Sequence, residues 1–308
     1  MRIEMAPLQG LTGHVFREVY ARHFVGVDHS YCPFVRLRAG QLLARDKREL
    51  AAGLVMGDGF TPQIIAASPA EASSLCGLLV ESGHRRVNLN LGCPFPMETK
   101  RKKGAGLLPY PEEVEKLLET LCRFEPALKV SVKTRLGLED DSEFSALVPI
   151  FNAFPLSAII IHPRTAKQMY KGTVAWDVFG EQGRKLTSPV IANGDIATIE
   201  DAHRVREAFP WIAGLMIGRG LLRDPFLPAA IKGLDPPSSR RQVLGHFHDD
   251  LVEGYSEAGM SPGHIVDKMR GLWTYLVHNF PDAEKLTKRF KKVRDMDKYQ
   301  ELVGALFR

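Results

Sequence analysis

Short apolar runs rich in Val, Ile and Leu alternate along the chain with longer segments whose apolar positions recur every three or four residues. The short runs fall at 2–5, 27–31, 63–67, 86–91, 129–133, 158–162, 190–192 and 214–217. Runs this short and this apolar predict strands buried on both faces, as in parallel sheets. The longer segments predict amphipathic helices. Over 111–124, Val114, Leu117, Leu118 and Leu121 form one apolar stripe, while Pro111 suits the first turn. Glu112 and Glu113 complement the positive end of that helix dipole. A similar pattern covers 69–82. Strand and helix alternating in this way predict an α/β fold, a (β/α)8 TIM barrel, with a doubly wound sheet as the second choice.

The alternation stops near Asp235-Pro236-Pro237-Ser238-Ser239, a turn-forming stretch. Only helical patterns follow, including 243–258, 265–280 and 283–293. The chain therefore divides into a barrel over 1–235 and a small all-helical C-terminal domain over 236–308. A unit of about seventy residues buries only a modest core alone, so the tail should pack against the barrel.

Composition narrows the class. With 44% hydrophobic and 25% charged residues the chain reads as a soluble globular protein. The start, Met-Arg-Ile-Glu, does not open a secretory leader, and no apolar run approaches the roughly 18 residues that span a membrane. A cytoplasmic, monomeric protein with no membrane contact is expected. Cys32, Cys76, Cys93 and Cys122 include no Cys-x-x-Cys pair, which argues against a zinc site or a disulfide framework. His246 and His248 are the one close histidine pair and read as partly exposed helix residues, so no metal is expected. Net charge is +5, and the cations are clustered. Lys100-Arg101-Lys102-Lys103 is one uninterrupted run; Lys285, Lys288, Arg289, Lys291, Lys292 and Arg294 form a stretch without an acid. Such clusters suit a polyanion.

Candidate chemistry sits where the predicted strands end. Asn90-Leu91-Gly92-Cys93-Pro94 places a thiol where strand opens into loop; mostly protonated at neutral pH, it can act as a general acid or be a buried structural cysteine. Lys133 and Arg135 alternate onto one strand face, with Thr134 on the other. Asn193-Gly194-Asp195 and Gly218-Arg219 follow the last two predicted strands, the usual phosphate site of such barrels. Glycine admits backbone N–H groups to phosphate oxygens, and Arg219 adds a charged fork. Lys268, Arg270 and Tyr275 combine cations with an aromatic, a set suited to RNA or to plain packing around Trp273.

Together with Met5-Ala6-Pro7-Leu8-Gln9-Gly10, Gln63, Val132–Arg135 and the stretch His162-Pro163-Arg164 through Gln168 and Tyr170, these motifs occur in the order of the tRNA-dihydrouridine synthase family, which the whole chain resembles. The resemblance implies an FMN enzyme that reduces a tRNA uridine to 5,6-dihydrouridine with NADPH or NADH. It casts Cys93 as the proton donor to C5. Pro7, Leu8, Gln9, Gln63, Lys133, His162, Asn193, Gly194, Asp195, Gly218 and Arg219 would hold the flavin. Asn90, Arg135, Arg164, Tyr170, Lys268, Arg270 and Tyr275 would meet tRNA. The early start and the tail residues look most like the bacterial C-type enzymes, which act at D-loop position 16. Glu98, Lys100 and Arg101 stand where the family usually has a valine followed by Asn-Gly. Two other readings keep the fold: an FMN-dependent barrel dehydrogenase acting on a free pyrimidine, and a non-catalytic RNA-binding protein.

Overall fold

A computed structural model describes residues 1–308. The apolar runs form parallel strands: β1 (Arg2–Met5), β2 (His29–Tyr31), β3 (Phe60–Thr61 with Gln63–Ile64), β4 (Arg86–Leu91), β5 (Lys129–Gly137), β6 (Ala158–Thr165), β7 (Val190–Asn193) and β8 (Gly214–Ile217). Pro62, which has no N–H to give a ladder, splits β3. Its first piece pairs with β2 and its second with β4. At the other seam β8 pairs with β1, from Arg2↔Gly214 to Met5↔Ile217. The sheet thus closes around, which excludes the doubly wound arrangement. Ala6, Tyr31, Ala158, Ile160, Ile191 and Met216 form a small cluster of their own, apart from the larger core in which strands and helices meet. In the helix Pro111–Cys122, Val114, Leu117, Leu118 and Leu121 are all buried, as the spacing predicts.

Beyond residue 235 the chain is helical: Arg240–Glu257, Pro262–Leu276, Ala283–Lys292 and Met296–Phe307, with a short 3₁₀ turn at Val277–Asn279. The Ser239 hydroxyl accepts from the Gln242 N–H and starts the first of them. Phe247 seats this helix on the barrel helix His14–His23, with ring centroids 5.8 Å from Phe16 and 4.9 Å from Phe24, both edge-on. Phe247→Ala at this seam should cost about 3–5 kcal/mol. His248 corrects the sequence reading: it is buried rather than partly exposed. The Trp273 indole donates to the Tyr299 hydroxyl at 2.9 Å, and Tyr299 lies 2.7 Å from His248 Nε2. The Tyr299 hydroxyl thus joins the Trp273 indole to His248, whose Nδ1 lies 2.8 Å from Asp249 Oδ1. No group of three His, Cys, Asp or Glu is placed to hold a metal ion, and no helix is long and apolar enough to cross a membrane.

Candidate active site

The ends of the barrel strands open into a cavity of about 410 Å³, within the usual size of ligand sites. The β4 end carries Cys93, and a relay of amides fixes it there. Asn90 Oδ1 accepts from the N–H groups of Gly92 at 3.0 Å and Cys93 at 2.9 Å. A backbone N–H can only donate, so the orientation of the Asn90 amide is set. Its Nδ2 must then donate to Gln63 Oε1, Gln63 Nε2 to Asn88 Oδ1, and Asn88 Nδ2 to Ser131 Oγ. Gln63 is 1% exposed, does not line the cavity and has both amide ends engaged. Its place is beneath the site, supporting Asn90.

On the other side of the thiol, Gly104 lies so close that a Cβ there would come within 2.7 Å of Cys93 Cβ, and its φ of 57° favours glycine. The Ala105 N–H donates to the Cys93 carbonyl at 3.1 Å. Burial pushes the thiol up, and the Phe95 backbone N–H offsets only part of this. The Cys93 proton is therefore retained at neutral pH.

Lys133 and Arg135 both line the cavity, as their alternation predicts. Arg135 is 2% exposed and donates to the carbonyls of Gly92 at 3.0 Å and Thr165 at 2.8 Å, tying the cysteine loop to the end of β6. Lys133 makes no ion pair. Burial, then neighbouring Arg135, pushes its ammonium down to about 7. A cation this poorly compensated favours an anionic or electron-rich group in the cavity. His162 Nε2 lies 3.2 Å from Arg164 Nη1, and a guanidinium only donates, so the histidine carries its proton on Nδ1. Burial comes first, then Arg135, Lys133, Arg164 and Arg219, in holding His162 well below its ordinary value and neutral.

Asn193, Gly194, Asp195, Gly218 and Arg219 converge on the opposite wall. A Cβ on Gly220 would sit 2.0 Å from the Ile196 carbonyl, so only glycine lets these two loops pack together. Asp195, at a φ of 44°, is the one carboxylate lining the cavity. Burial raises its carboxyl, but Arg164 and Arg219 more than offset this and hold it below the usual range. Arg164 was expected at the RNA; at 1% exposure it instead forks onto Asp195 and holds the carbonyls of Lys171 and Gly172. Tyr170 stands over the cavity between the guanidiniums of Arg219 at 4.8 Å and Arg135 at 5.3 Å. Pro7, Leu8 and Gln9 line the mouth beside Gly218.

The tail closes part of the wall. Tyr275 faces the cavity, whereas Trp273 on the same helix is core. Lys268 and Arg270 do not reach the cavity: Lys268 Nζ lies 5.4 Å over the Tyr255 ring, and Arg270 pairs with Asp267. Phe34, Phe95, Arg223, Thr274 and His278 line the cavity without having been singled out in the sequence. For Phe95 the signal was its place two residues after Cys93; for His278, its nearness to Tyr275.

The donor set fits a flavin: an uncompensated ammonium, a neutral imidazole, and a wall of glycine turns with an arginine for a phosphate. Residues 4–307 match the dihydrouridine synthase family. A tRNA-dihydrouridine(16) synthase of Cupriavidus necator is 29% identical, over 99% of this chain and 97% of that protein. One from Vibrio parahaemolyticus is 27% identical over 100% and 96%. A tRNA-dihydrouridine synthase B of Pasteurella multocida is 28% identical over only 76% of this chain and 69% of its own. Among solved structures, morphinone reductase superposes with a TM-score of 0.53 at 11% identity, covering 79% of this chain and 88% of its own, a likeness of fold alone. By the match across nearly its whole length, this chain belongs to the dihydrouridine synthase family.

Proposed function

We propose that this protein reduces a uridine of tRNA to 5,6-dihydrouridine, with FMN as its flavin and NADPH, or NADH, as reductant. The observation that carries the reading is Cys93: a protonated thiol held from both sides at the wall of a cavity that also contains the uncompensated Lys133. When bound, the flavin supplies a hydride to uracil C6. The protein does the rest. Hydride addition places negative charge on C5 and the C4 carbonyl oxygen, and Cys93 Sγ gives its proton to C5. His162, neutral and protonated on Nδ1, can donate a hydrogen bond at that wall without consuming the acid. Lys133 would face the pyrimidine edge of the flavin, where charge gathers on reduction. Asn193–Asp195 and Gly218–Arg219 would cradle its phosphate. Pro7–Gln9 would lie beneath its ring.

The target base cannot enter the barrel while stacked, so it must be flipped into the cavity. Residues 236–308 are then the tRNA-binding part. Lys285, Lys288, Lys291 and Lys292 are exposed along Ala283–Lys292 and make no ion pair in the protein, which favours a phosphate backbone over a free pyrimidine as partner. Position 16 is the proposed target because relatives named for that position cover the tail as well as the barrel, while the B-type relative covers less. The test is to map dihydrouridine in tRNA from a strain deleted for this gene. Loss at position 16, restored by the intact gene, is the expected result. Loss at another D-loop position would overturn the position, and no loss anywhere would overturn the activity.

A further inference from the structure

The segment after Cys93 leaves the barrel mouth as a short helix, Pro96–Thr99, and turns back at Lys102, whose φ is 51°. Both of its ends are anchored. Glu98, 4% exposed, pairs with Arg36, and Lys103 pairs with Glu71. Between and beside these anchors the side chains have no cover. Phe95 is 48% exposed and Met97 65%, in a chain whose large apolar side chains are mostly buried. Lys100 and Arg101 are exposed and make no ion pair. Lys102 extends the same cationic edge, its ammonium 4.0 Å over the Tyr110 ring.

An apolar lip held rigidly and edged by unpaired cations marks a binding surface. Its charge selects an anionic partner, and an exposed aromatic ring beside cations is the combination that holds unpaired nucleotides: the ring stacks a base while the cations meet its phosphate. Phe95 also lines the cavity that holds Cys93, so the lip is continuous with the place where the target base enters. Flipping one base out of a loop leaves its neighbour without a stacking partner on that side. We propose that Phe95, with Lys100 and Arg101, forms a second nucleotide site at the cavity lip, stacking the unpaired base adjacent to the flipped uridine and holding its phosphate. The proposal rests on the reading of the substrate as a tRNA loop uridine. It assigns the departure at Glu98, Lys100 and Arg101 a purpose: Glu98, together with Lys103, fixes the platform, and Lys100 and Arg101 charge it.

The test reads affinity in the absence of NADPH, apart from catalysis. Wild type, Phe95→Ala and Phe95→Trp are titrated with tRNA transcript and with the same tRNA made abasic on both sides of the target uridine. Phe95→Ala should bind intact tRNA about tenfold more weakly, and Phe95→Trp should stay within about twofold of wild type. Wild type should lose a similar factor on the abasic tRNA, and Phe95→Ala should lose nothing further. Unchanged affinity of Phe95→Ala would overturn the proposal, as would two losses that multiply. So would a wild-type dimer that Phe95→Ala converts to monomer at constant tRNA affinity, which would make the lip a self-association surface. Dihydrouridine formation by wild type is scored separately. Its absence would sink the substrate reading, whereas normal formation with an unaltered Phe95→Ala isotherm would sink the platform alone.

Discussion

Replacing Asn90 by alanine removes the acceptor that serves two backbone N–H groups and the donor that serves Gln63. Gly92 is half-buried, and its freed N–H can bond to water. The Cys93 N–H, in a residue 7% exposed, and Gln63 Oε1, in a residue 1% exposed, are left dry. Each such group costs about 1–3 kcal/mol, so Asn90→Ala should lose about 2–6 kcal/mol. In a chain of this size that is a fall in Tm of about 3–9 °C. Turnover should drop as well, since a 1 Å displacement of a reacting group can cost about 100-fold. Asn90→Asp separates the two effects. It keeps the acceptor, and the amides of Gln63 and Asn88 can both flip if the Ser131 hydroxyl turns from the Val87 carbonyl, its present acceptor at 3.2 Å, to donate at the far end of the relay. Thermal unfolding of the purified variants, with dihydrouridine formation measured in parallel, checks both. An Asn90→Ala protein melting within about one degree of wild type at normal turnover would refute the relay.

Lys133 makes the flavin-free protein pH-dependent in a defined direction. Its folded value is about 7 against an ordinary 10.5, so above pH 7 the unfolded chain binds the extra proton and stability rises with pH. Melts of flavin-free wild type from pH 7 to 8.5 should climb relative to Lys133→Met; parallel curves would contradict this. Lys133→Ala should also lose most of its flavin or resist reduction by NADPH, and normal content with normal reduction would remove it from the cofactor site. Reversing Lys288, Lys291 and Lys292 to glutamate should weaken tRNA binding and flatten its salt dependence, by a log–log slope of about two or more. Equal slopes would show that helix to be a bystander. Tyr299→Phe strands the Trp273 indole and His248 Nε2 and should cost about 2–4 kcal/mol; unchanged hydrogen-exchange protection of Met296–Phe307 would argue against it.

The barrel was legible because its signal is local. β4 and β8 coincide with their apolar runs, and a glycine, Gly92 or Gly218, follows each directly. β3 starts earlier than its run and breaks at Pro62, where the pairing partner changes. β5 runs on to Gly137 because the polar Lys133 and Arg135 remain in the ladder, their side chains directed to the cavity. Met296–Phe307 falls inside the tail read as all-helical without being singled out there, although Asp295 caps it and Tyr299, Leu302 and Val303 are spaced for one buried face. At the site, residue type predicted presence better than partner. Gln63 and Arg164 are polar groups of the right kind, but their hydrogen bonds are made to Asn88, Asn90 and Asp195, and only tertiary contacts decide that. Lys268 has the spacing to share a face with Tyr275, yet Tyr255, from the preceding helix, takes its ammonium. Phe34 and Phe95 carry no chemistry a motif would record, so the aromatic lip emerges only once the strands close.

The most direct test of the account is a single-turnover reaction of Cys93→Ala with tRNA. The variant should bind flavin and be reduced by NADPH normally, while dihydrouridine formation falls by about 10²–10⁴-fold, the usual worth of a positioned general acid. Retention of half the wild-type rate would contradict the account and place the acid elsewhere in the cavity.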